Sequence, residues 1–503
     1  MKVFDYVQTL KKFNNFSDII RYNSIKYPKK IFIEDEKIKI NYYQFNRLID
    51  CCCNYFFEKN LKRNDVVSLL LANSIDYLIV YFASIRFGTI VSPIPITSSN
   101  KNTDLYLEII KPKIIFYDKN FTNLKYKSSR HFVKKKNDLY FFLNKNFVRK
   151  VNNQYKFKYI KKKSDIACYY LSSGTTSKSK IIKYTHASMI NGQIALLRSG
   201  FLKNKFPRHL CFLPFGHTSV LRYSIKHCIV TAGSIIICDN YWSIKKNLWK
   251  IVKKKNINYF QTVPTILNSI YLYGNFNNWS KNKIKFIGCG SAILNKKDHI
   301  NFEKKFGIKV SNLYGLSETG ATHFDNPFIK NRTLGSLGKP LKGVTCKLLI
   351  NNKISSVRNQ SGQVLIKSNF LMSGYLGKKK INQNTFFKTG DLGKFDKNNN
   401  LIFVDRRKDV IIKGGVNIMP SEIEEIINEI SHVEDVAVVG VKDEFFGENL
   451  IGHIVSRKKN PNTKQILKYC EKKLGLFKTP IDLIIHRQLP KTASGKILKR
   501  HLK

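Results

Sequence analysis

The apolar positions of the N-terminal half follow two alternating spacings. Residues 41–60 carry apolar side chains at helical spacing, whereas residues 65–73 (DVVSLLLAN) form a near-continuous apolar run, typical of a strand buried on both faces. A helical stretch follows to Arg86, and apolar runs at 88–95 and 111–118 predict two further buried strands. This alternation predicts a parallel sheet covered by helices, and therefore an α/β fold.

Later regions of the chain depart from this rhythm. Residues 119–163 are polar and strongly basic, which predicts a solvated excursion with a few short strands. The last hundred residues predict a compact unit with a helix over 420–430 and a strand over 433–443. The charged run at 405–409 separates two apolar strands, and we therefore place a domain boundary there.

The net charge of +54, from 88 Lys and Arg against 34 Asp and Glu, has two interpretations. One is an acidic partner, such as nucleic acid, a membrane surface or an acidic carrier protein. The other is a compositional bias towards Lys, Asn, Ile, Tyr and Phe, which the scatter of basic residues through every segment favours. The 43% hydrophobic content excludes a disordered chain, and 503 residues predict two or more domains.

Cysteine spacing and the apolar stretches indicate the compartment. The ten cysteines, including the run at 51–53, form no C-x-x-C pair and no zinc pattern, so we expect free thiols in a reducing environment. Charged residues interrupt the first 16 positions, which excludes a signal-peptide core. Asp76 and Arg86 break the longest apolar stretch, 66–95, below the length of a membrane span. We therefore expect a cytoplasmic protein without a transmembrane segment.

The clearest chemical signal lies in residues 167–186 (ACYYLSSGTTSKSKIIKYTH). An apolar strand runs into hydroxyl side chains, a glycine and lysines, and such a loop can cradle phosphates with its hydroxyls, backbone amides and cations. Ordinary surface turns have a similar composition, and the P-loop pattern is absent. The candidate phosphate-binding residues are Ser172, Ser173, Gly174, Thr175, Thr176 and Lys180.

Four further segments follow this loop in order: LYGLSETG at 313–320, TGDLG at 389–393, DRRKDVIIKGGVNIMPSEIE at 405–424 and LPKTASGKILKR at 489–500. Together they resemble the acyl-adenylate-forming superfamily, which contains acyl- and aryl-CoA synthetases, luciferases and the adenylation domains of peptide synthetases. The resemblance covers nearly the whole chain, and the order of the motifs makes coincidence negligible.

The resemblance implies two domains. Residues 1–404 would form a large AMP-binding domain of parallel and mixed sheets with covering helices and a β-barrel-like subdomain. Residues 405–503 would form a small mobile α+β domain with its hinge near Lys408. The implied reaction joins a carboxylate to the α-phosphate of Mg-ATP and then transfers the acyl group of acyl-AMP to the thiol of CoA or of a carrier phosphopantetheine.

The resemblance also implies roles for residues around ATP. The loop from Ser172 to Thr176, with Lys180, would hold the β- and γ-phosphates, although Ser177, Ser179 and Ile181 replace the usual Gly, Pro and Gly, which puts the efficiency of the loop in question. Glu318 would coordinate Mg²⁺ as a hard oxygen ligand. Further expected nucleotide contacts are Gly290, Ser291 and Ala292 along adenine, Tyr314 stacked on adenine, Gly315 in the same motif, Ser317 near the α-phosphate, and Asp391 and Arg406 at the ribose.

Other residues carry the implied chemistry and domain motion. Lys496 would place positive charge between the carboxylate and the α-phosphate during adenylation. His217, in LPFGHTS, would lie near the substrate carboxylate or gate the thiol tunnel. Gly414 and Gly415 would approach that tunnel in the thioester-forming state.

The substrate class is less sharply indicated. Residues 211–222 contain no Asp to pair with an amino-acid ammonium group, and small residues at Gly216, Gly288, Gly290 and Ser291 suggest room for an elongated tail. A fatty or aromatic acid with CoA is therefore predicted. One alternative is loading of an acidic acyl carrier protein. Another is a non-catalytic protein that binds nucleic acid or a membrane surface; the joint presence of the candidate site residues argues against it, and no specific nucleic acid is expected.

Overall fold

The computed structural model describes residues 3–95, 100–121, 124–126, 129–133, 135–146, 162–172, 180–202, 206–274, 284–330, 332–491 and 497–503. No helix within these ranges is both long and apolar enough to cross a membrane. All ten cysteines lie inside the ranges and carry free thiols.

A seven-stranded mixed sheet forms the first layer of the N-terminal part. Its strands are β3 (Val66–Leu70), β4 (Ile90–Pro93), β5 (Ile114–Tyr117), β6 (Ser129–Phe132), β7 (Ile166–Leu171), β8 (Ile181–Thr185) and β19 (Gly374–Tyr375). They are ordered β19-β8-β7-β4-β3-β5-β6. The pairs from β7 to β6 are parallel, whereas β8 pairs antiparallel with both β7 and β19. The candidate phosphate loop therefore joins two adjacent strands of this sheet.

A nine-stranded sheet forms the second layer. Its strands are β1 (Ile31–Glu34), β2 (Lys39–Asn41), β9 (Arg208–Cys211), β10 (Ser234–Ile237), β11 (Tyr259–Thr262), β12 (Phe286–Gly290), β13 (Val310–Leu316), β14 (Gly320–Phe324) and β15 (Lys339–Pro340). The order is β15-β14-β13-β12-β11-β9-β10-β1-β2, and the run from β13 to β1 is parallel. Parallel strands end at the same edge of a sheet, so the segments after β9, β12 and β13 meet there.

A five-stranded antiparallel sheet corresponds to the predicted β-barrel-like subdomain. It contains β16 (Thr345–Ile350), β17 (Lys353–Ser355), β18 (Gly362–Lys367), β20 (Phe387–Phe395) and β21 (Leu401–Arg406), in the order β17-β16-β18-β20-β21. In the described residues its edge strands β17 and β21 do not pair with each other. The register of β20 and β21 sets Asp391 opposite Arg406.

The C-terminal part has its own sheet and apolar core. Its strands are β22 (Ile411–Lys413), β23 (Val416–Ile418), β24 (Val433–Asp443), β25 (Gly447–Ser456) and β26 (Asp482–His486). The 3-10 helix Arg407–Asp409 joins it to the preceding sheet. The predicted small α+β unit is thereby confirmed as a separate body, while the boundary between residues 404 and 405 stays a prediction.

Helices cover the sheets, and their ends follow capping chemistry. For example, the Ser74 hydroxyl accepts from the Tyr77 amide at one helix start, and Gly88 ends that helix in the left-handed region. The helices are α1 (Val3–Lys12), α2 (Phe16–Lys26), α3 (Tyr42–Glu58), α4 (Ile75–Phe87), α5 (Asn100–Ile110), α6 (Asp138–Asn146), α7 (His186–Arg198), α8 (Thr218–Val220), α9 (Lys226–Val230), α10 (Tyr241–Ile244), α11 (Leu248–Lys254), α12 (Pro264–Tyr273), α13 (Lys296–Phe306), α14 (Pro420–Asn428) and α15 (Thr463–Leu474). A π-helical turn, Leu221–Ile225, connects α8 to α9. Other 3-10 turns are Lys119–Phe121, Lys245–Asn247, Leu476–Lys478 and Lys499–His501.

The interpretation of residues 119–163 as a solvated excursion is wrong for its described helix. Leu139 and Leu143 of α6 are fully buried in the main core. Asp76 of α4 accepts hydrogen bonds from the backbone amides of Leu139 and Tyr140, at 3.3 and 2.8 Å. Burial raises the pKa of Asp76 to about 7, and these two amides oppose that rise. The basic composition concealed a helix whose leucines pack in the core and whose first backbone amides donate to a buried carboxyl group.

Several histidines of the N-terminal part are neutral because they are fully buried (His209, His227 and His323) or partly buried (His217). Burial lowers the pKa of His217 and His227 to about 4 and that of His323 to about 3. It holds the pKa of His209 well below its usual range. Both ring nitrogens of His209 have no hydrogen-bond partner in the described part of the chain, and its ring centroid lies 4.6 Å from that of Tyr259.

We expect His209→Leu to raise the free energy of unfolding by about 1–3 kcal/mol, since it removes two unsatisfied nitrogens from the core. His209 is neutral in the folded state and binds a proton on unfolding. Below pH 6.5 this proton uptake favours the unfolded state, so the free energy of unfolding falls by about 1.4 kcal/mol per pH unit. The variant should therefore lose less stability than the wild type between pH 6.5 and 5. Urea unfolding at each pH measures both effects.

The exposed His501 provides a matched control, because His501→Leu should leave the stability at each pH unchanged. A lower stability of His209→Leu at pH 7, or an unaltered pH dependence, would contradict this account of His209.

Candidate active site

A buried carboxylate occupies the junction of the second and third sheets. Asp391 is 1% exposed, and the Tyr314 hydroxyl donates to its Oδ2 at 2.7 Å. Arg406 Nε lies 3.1 Å from Oδ1, across the β20–β21 pair. Nevertheless, Oδ1 has no hydrogen-bond partner among the described residues. An unsatisfied buried carboxylate oxygen is costly, so this atom is suited to accept from hydroxyl groups of a ligand.

A second acidic group lies close by, on the turn after β13. The Tyr375 hydroxyl donates to Glu318 Oε1 at 3.2 Å, and Lys180 Nζ lies 5.0 Å from the centre of the Tyr375 ring. Burial raises the pKa of Glu318, whereas the bond from Tyr375 and the charges of Arg406 and Lys180 oppose that rise. The structure thus brings Glu318, Lys180 and Arg406 into one electrostatic neighbourhood.

Glu318 fits the expected contact with a magnesium ion. Among the described residues, no group of three or more His, Cys, Asp or Glu side chains could hold a metal ion. A site with a single carboxylate suits Mg²⁺ that is bound mainly through substrate phosphates and water. A divalent cation beside Glu318 would also favour its ionised form, which burial disfavours.

The two described ends of the candidate phosphate loop are bonded to each other. The Ser172 amide donates to the Lys180 carbonyl at 2.8 Å, and the Lys180 amide donates to Ser172 Oγ at 3.0 Å. These bonds continue the β7–β8 ladder and hold Lys180 beside Tyr375. The predicted residues Ser173, Gly174, Thr175 and Thr176 lie outside the described residues, as do Ser177 and Ser179.

The predicted catalytic Lys496 also lies outside the described residues. The described residues nearest to it on each side, Lys491 and Ile497, form an antiparallel bridge. Lys491 Nζ lies 2.6 Å from Asp435 Oδ2, and Lys499 Nζ lies 2.7 Å from Glu424 Oε1. These pairs attach both flanks of the segment to the C-terminal part.

The candidate adenine segment leaves β12 at Gly290. A Cβ atom there would lie 2.8 Å from the Leu313 carbonyl oxygen, and one at Gly315 would lie 1.9 Å from that of Gly320. Both glycines are therefore needed for the close packing of neighbouring backbone. Ser291 is exposed and has a φ of +67°, an uncommon conformation for a non-glycine residue, and Ala292 is half-buried. This strained turn directs the chain away from the strand edge.

The glycines do not provide the space that was inferred for an elongated tail. A Cβ at Gly288 would lie 2.4 Å from the Tyr259 hydroxyl, and one at Gly216 would lie 2.8 Å from Pro95 Cα. The space that a missing side chain leaves is thus filled by Tyr259 and by the Pro95 backbone. The inference of an open tail channel from these residues is wrong.

His217 lies at the start of α8, where its amide donates to the Pro214 carbonyl at 3.1 Å. Its Nε2 is buried and has no hydrogen-bond partner in the described ranges. With a pKa of about 4, the ring is neutral at physiological pH. Ser317 is positioned on the facing turn, where its carbonyl accepts from the Tyr184 hydroxyl at 2.9 Å.

The expected hinge and tunnel residues lie in the C-terminal part. Lys408 belongs to the 3-10 helix between the third and fourth sheets, and its Nζ is 3.9 Å from Asp409 Oδ1. Burial lowers the pKa of Lys408. Gly414 and Gly415, with φ of +54° and +78°, form the two-residue turn between β22 and β23. The Gly414 amide donates to the Phe446 carbonyl at 2.8 Å.

Sequence reasoning missed residues that complete this neighbourhood. Tyr375 links Lys180 to Glu318, and Tyr184 supports the Ser317 turn. Tyr184 lies within the segment 167–186 but has no predicted role there, and Tyr375 lies in none of the five motifs. Each is brought to the site only by the pairing of β8 with β7 and β19.

Comparisons with known proteins agree with this arrangement. Residues 21–376 match the family model for AMP-binding enzymes, and residues 422–496 match the model for the C-terminal domain of AMP-binding enzymes. The oxalate–CoA ligase of Saccharomyces cerevisiae is 26% identical over 474 residues, which cover 87% of this chain and 86% of that protein. The long-chain-fatty-acid–CoA ligase of Bacillus subtilis is 29% identical over 350 residues, which cover 67% of this chain and 61% of that protein.

The fold is also similar to those of solved structures. MatB from Rhodopseudomonas palustris, in its ATP-bound crystal structure, has a TM-score of 0.87 and 23% identity, with 97% of this chain and 98% of that chain covered. The resemblance to acyl-adenylate-forming enzymes, drawn from five ordered motifs, is confirmed. Since the first model alone spans more than half of its length, the chain belongs to the AMP-binding enzyme family.

Proposed function

We propose that this enzyme is an AMP-forming acid–thiol ligase that uses ATP, Mg²⁺ and CoA. A carboxylate oxygen of the substrate attacks the α-phosphorus of ATP, and the bond to pyrophosphate breaks. A thiol sulfur then attacks the acyl carbon of acyl-AMP, AMP leaves, and the thiol proton passes to solvent. The observation that carries this proposal is the buried Asp391 carboxylate. Its Oδ1 is paired with Arg406 but accepts no hydrogen bond from a described residue, and Arg406, like Lys180, also acts on Glu318.

Asp391 is proposed to bind the ribose hydroxyls, and Arg406 to orient it. The Tyr314 hydroxyl occupies Oδ2, so Oδ1 is the oxygen left to accept from a sugar hydroxyl. Because Tyr314 is fixed by this bond, its ring has a defined orientation for stacking on adenine, beside Gly290, Ser291 and Ala292.

Glu318 and Lys180 are proposed to act on the phosphates, together with Ser172 and the loop that follows it. Mg²⁺ bound at Glu318 would neutralise charge on the phosphates. Lys180 is held over Tyr375 and contributes a cation on the same side as Glu318. His217 is neutral, so its part is to hydrogen-bond the substrate and not to add charge.

The C-terminal part, beginning near residue 405 and rotating about Lys408, is proposed to serve both half-reactions. Lys496 would supply positive charge between the substrate carboxylate and the α-phosphate. A carboxylate is already ionised at neutral pH, so charge and not a general base is required. The turn at Gly414 and Gly415 would then face the incoming thiol.

The acid and the acceptor are the less determined parts of the reaction. The two relatives above are named for oxalate and for long-chain fatty acids, so their names alone span short diacids and long monoacids. CoA is the acceptor proposed here, with a phosphopantetheinylated acidic carrier protein as the alternative that the charge of +54 favours. A cytoplasmic location fits the ten free thiols.

Asp391→Asn should raise the KM for ATP and lower kcat/KM for ATP by about 100-fold, because a charged acceptor for the ribose hydroxyls is lost from a buried site. ATP–pyrophosphate exchange at varied ATP concentration measures the effect. Asp239 is exposed and pairs with Lys136 on the surface, so Asp239→Asn is a matched control that should behave as wild type. An unchanged KM in Asp391→Asn would remove Asp391 from the nucleotide site.

Lys496→Ala should lower the rate of adenylation by about 100-fold or more, as loss of a transition-state charge does. Thioester formation from preformed acyl-AMP should fall much less, because the proposed rotation has by then carried Lys496 away from the α-phosphate. The exposed Lys464 gives the control variant Lys464→Ala. Equal losses in both half-reactions would contradict the assignment of Lys496 to the first.

The acceptor is tested by supplying preformed acyl-AMP with either CoA or a phosphopantetheinylated carrier protein. We expect thioester formation with CoA at a higher kcat/KM. If only the carrier protein is turned over, the carrier and not CoA is the acceptor. In that case kcat/KM for the carrier should fall with rising salt, because salt screens the attraction between a basic enzyme surface and an acidic partner.

A further inference from the structure

A small cavity of about 30 Å³ lies behind the turn that carries Ser317 and Glu318. Gly320 and Ala321 form one side of it, and Tyr184 forms another. The Tyr184 hydroxyl donates to the Ser317 carbonyl at 2.9 Å, so one residue lines the cavity and supports the candidate nucleotide site. The cavity therefore borders the turn that carries the candidate nucleotide site.

The helix after β9 directs two cations into this cavity. Thr218, Arg222 and Lys226 line it at intervals of four residues along the continuous run from α8 through the π-helical turn to α9. Residues four apart lie on one helix face, and π-helical turns are frequent at functional sites. His217, the residue proposed to contact the substrate, immediately precedes this face.

Lys226 is a buried cation without a counter-ion. It is 6% exposed, and its Nζ lies 3.3 Å from the Tyr170 hydroxyl and 5.6 Å from the centre of the Tyr81 ring. Burial, opposed by Cys168 and assisted by the charge of Arg222, lowers the pKa of Lys226 to about 8. Lys226 is therefore mostly protonated at pH 7. In the described part of the chain, neither Lys226 nor Arg222 forms a salt bridge.

The other lining residues are mixed. Tyr170, Tyr184, Ser188, Thr218 and Gln193 are polar, Met189, Ala321 and Phe370 are apolar, and no described lining residue is acidic. A water molecule needs about 10–15 Å³ of such a cavity, so the volume of about 30 Å³ is enough for two or three waters or for a group of the size of a carboxylate. An uncompensated buried charge is costly, so a site that retains two cations here is suited to bind a small anionic group.

We propose that the acid activated by this enzyme carries a second carboxylate, and that Lys226 and Arg222 bind that group in this cavity. The proposal rests on the ligase function proposed above and specifies its substrate class as a short dicarboxylic acid. One carboxylate would react near His217 and Lys496, while the other would remain ionised between the two cations. Both cations lie on one helix face, so substrate length is limited by the distance from that face to the Ser317 turn.

ATP–pyrophosphate exchange with matched pairs of acids tests the proposal. Malonate against propionate, and succinate against butyrate, differ by one carboxylate at equal chain length. We expect at least one diacid to exceed its partner in kcat/KM by about 100-fold, as expected for a desolvated charge pair. Exchange with monoacids at equal or higher kcat/KM would overturn the inference and leave the ligase function intact. Absence of exchange with every acid would contradict both.

Lys226→Met identifies the residue that recognises the second group. It should raise the KM for the preferred diacid by about 100-fold and leave the kinetics of its monoacid partner within about threefold. Arg222→Gln should also lower the ratio of kcat/KM for the diacid to kcat/KM for the monoacid. An equal loss for diacid and monoacid would assign Lys226 a structural role and overturn the proposal. The exposed Lys250 of α11 supplies the control Lys250→Met, which should keep the wild-type ratio.

Thermal unfolding supplies a readout that is independent of turnover. Lys226→Met exchanges an uncompensated buried charge for an apolar group of similar length, so its melting temperature should be equal to or above that of wild type. The preferred diacid alone, without ATP, should raise the melting temperature of wild type and not that of the variant. Equal protection of both proteins would place the second carboxylate elsewhere.

Discussion

The burial of the Asp391 carboxylate is the constraint around which the candidate site is organised. It can be tolerated only because Tyr314, from the nine-stranded sheet, and Arg406, from the strand opposite, both point at it. The Tyr314 contact fixes the third sheet against the second, whereas the Arg406 contact lies within the third sheet. Arg406 is also the last residue of β21, directly before the 3-10 helix that leads to the C-terminal part. A ligand that changed the contact of Arg406 with Asp391 would therefore act where the two parts of the chain join.

The distribution of charge has a meaning that the total of +54 does not convey. With 34 acids for 88 cations, single carboxylates serve several partners: Glu34 contacts Lys39, Arg208 and Lys255, at 3.7, 3.0 and 2.6 Å. Such sharing lowers the pKa of Glu34 through its partners even though burial opposes it. Against this background, the burial of Lys226 without a carboxylate is informative. Compositional bias explains exposed lysines, but it does not explain one that is buried beside the turn of the candidate site.

Hydrophobic periodicity predicted the strands and helices well because burial on one or both faces imposes it directly. The runs at 65–73 and 433–443 became β3 and β24, and residues 41–60 became α3. Motif order was sufficient to predict the family, and it placed Glu318, Asp391 and Arg406 in one region. The roles of these residues stay predictions, and so do those of Lys496 and the loop from Ser173, which lie outside the described residues.

What the sequence could not predict depends on contacts between distant positions. Tyr375 meets Glu318 across 57 residues and Tyr184 meets Ser317 across 133, because strand pairing brings them together. Gly288 is a case in which the sequence suggested open space that a distant residue in fact fills. A glycine in a sequence is equally consistent with open space and with space that a neighbour fills, and here Tyr259 fills it.

Fixed and mobile cations serve different needs in an adenylation reaction. Adenylation removes the negative charge of the reacting carboxyl group, which becomes the acyl part of a mixed anhydride, so a permanent cation beside that group would stabilise the ground state and slow the reaction. The residue next to the reacting group in this proposal, His217, is kept neutral by burial. In this proposal Arg222 and Lys226, further along the same helical run, contact a group whose charge does not change, and they would therefore stabilise substrate and transition state equally. Positive charge at the reacting centre can then come from Lys496, on the part of the chain that is proposed to move, only when the phosphate is attacked.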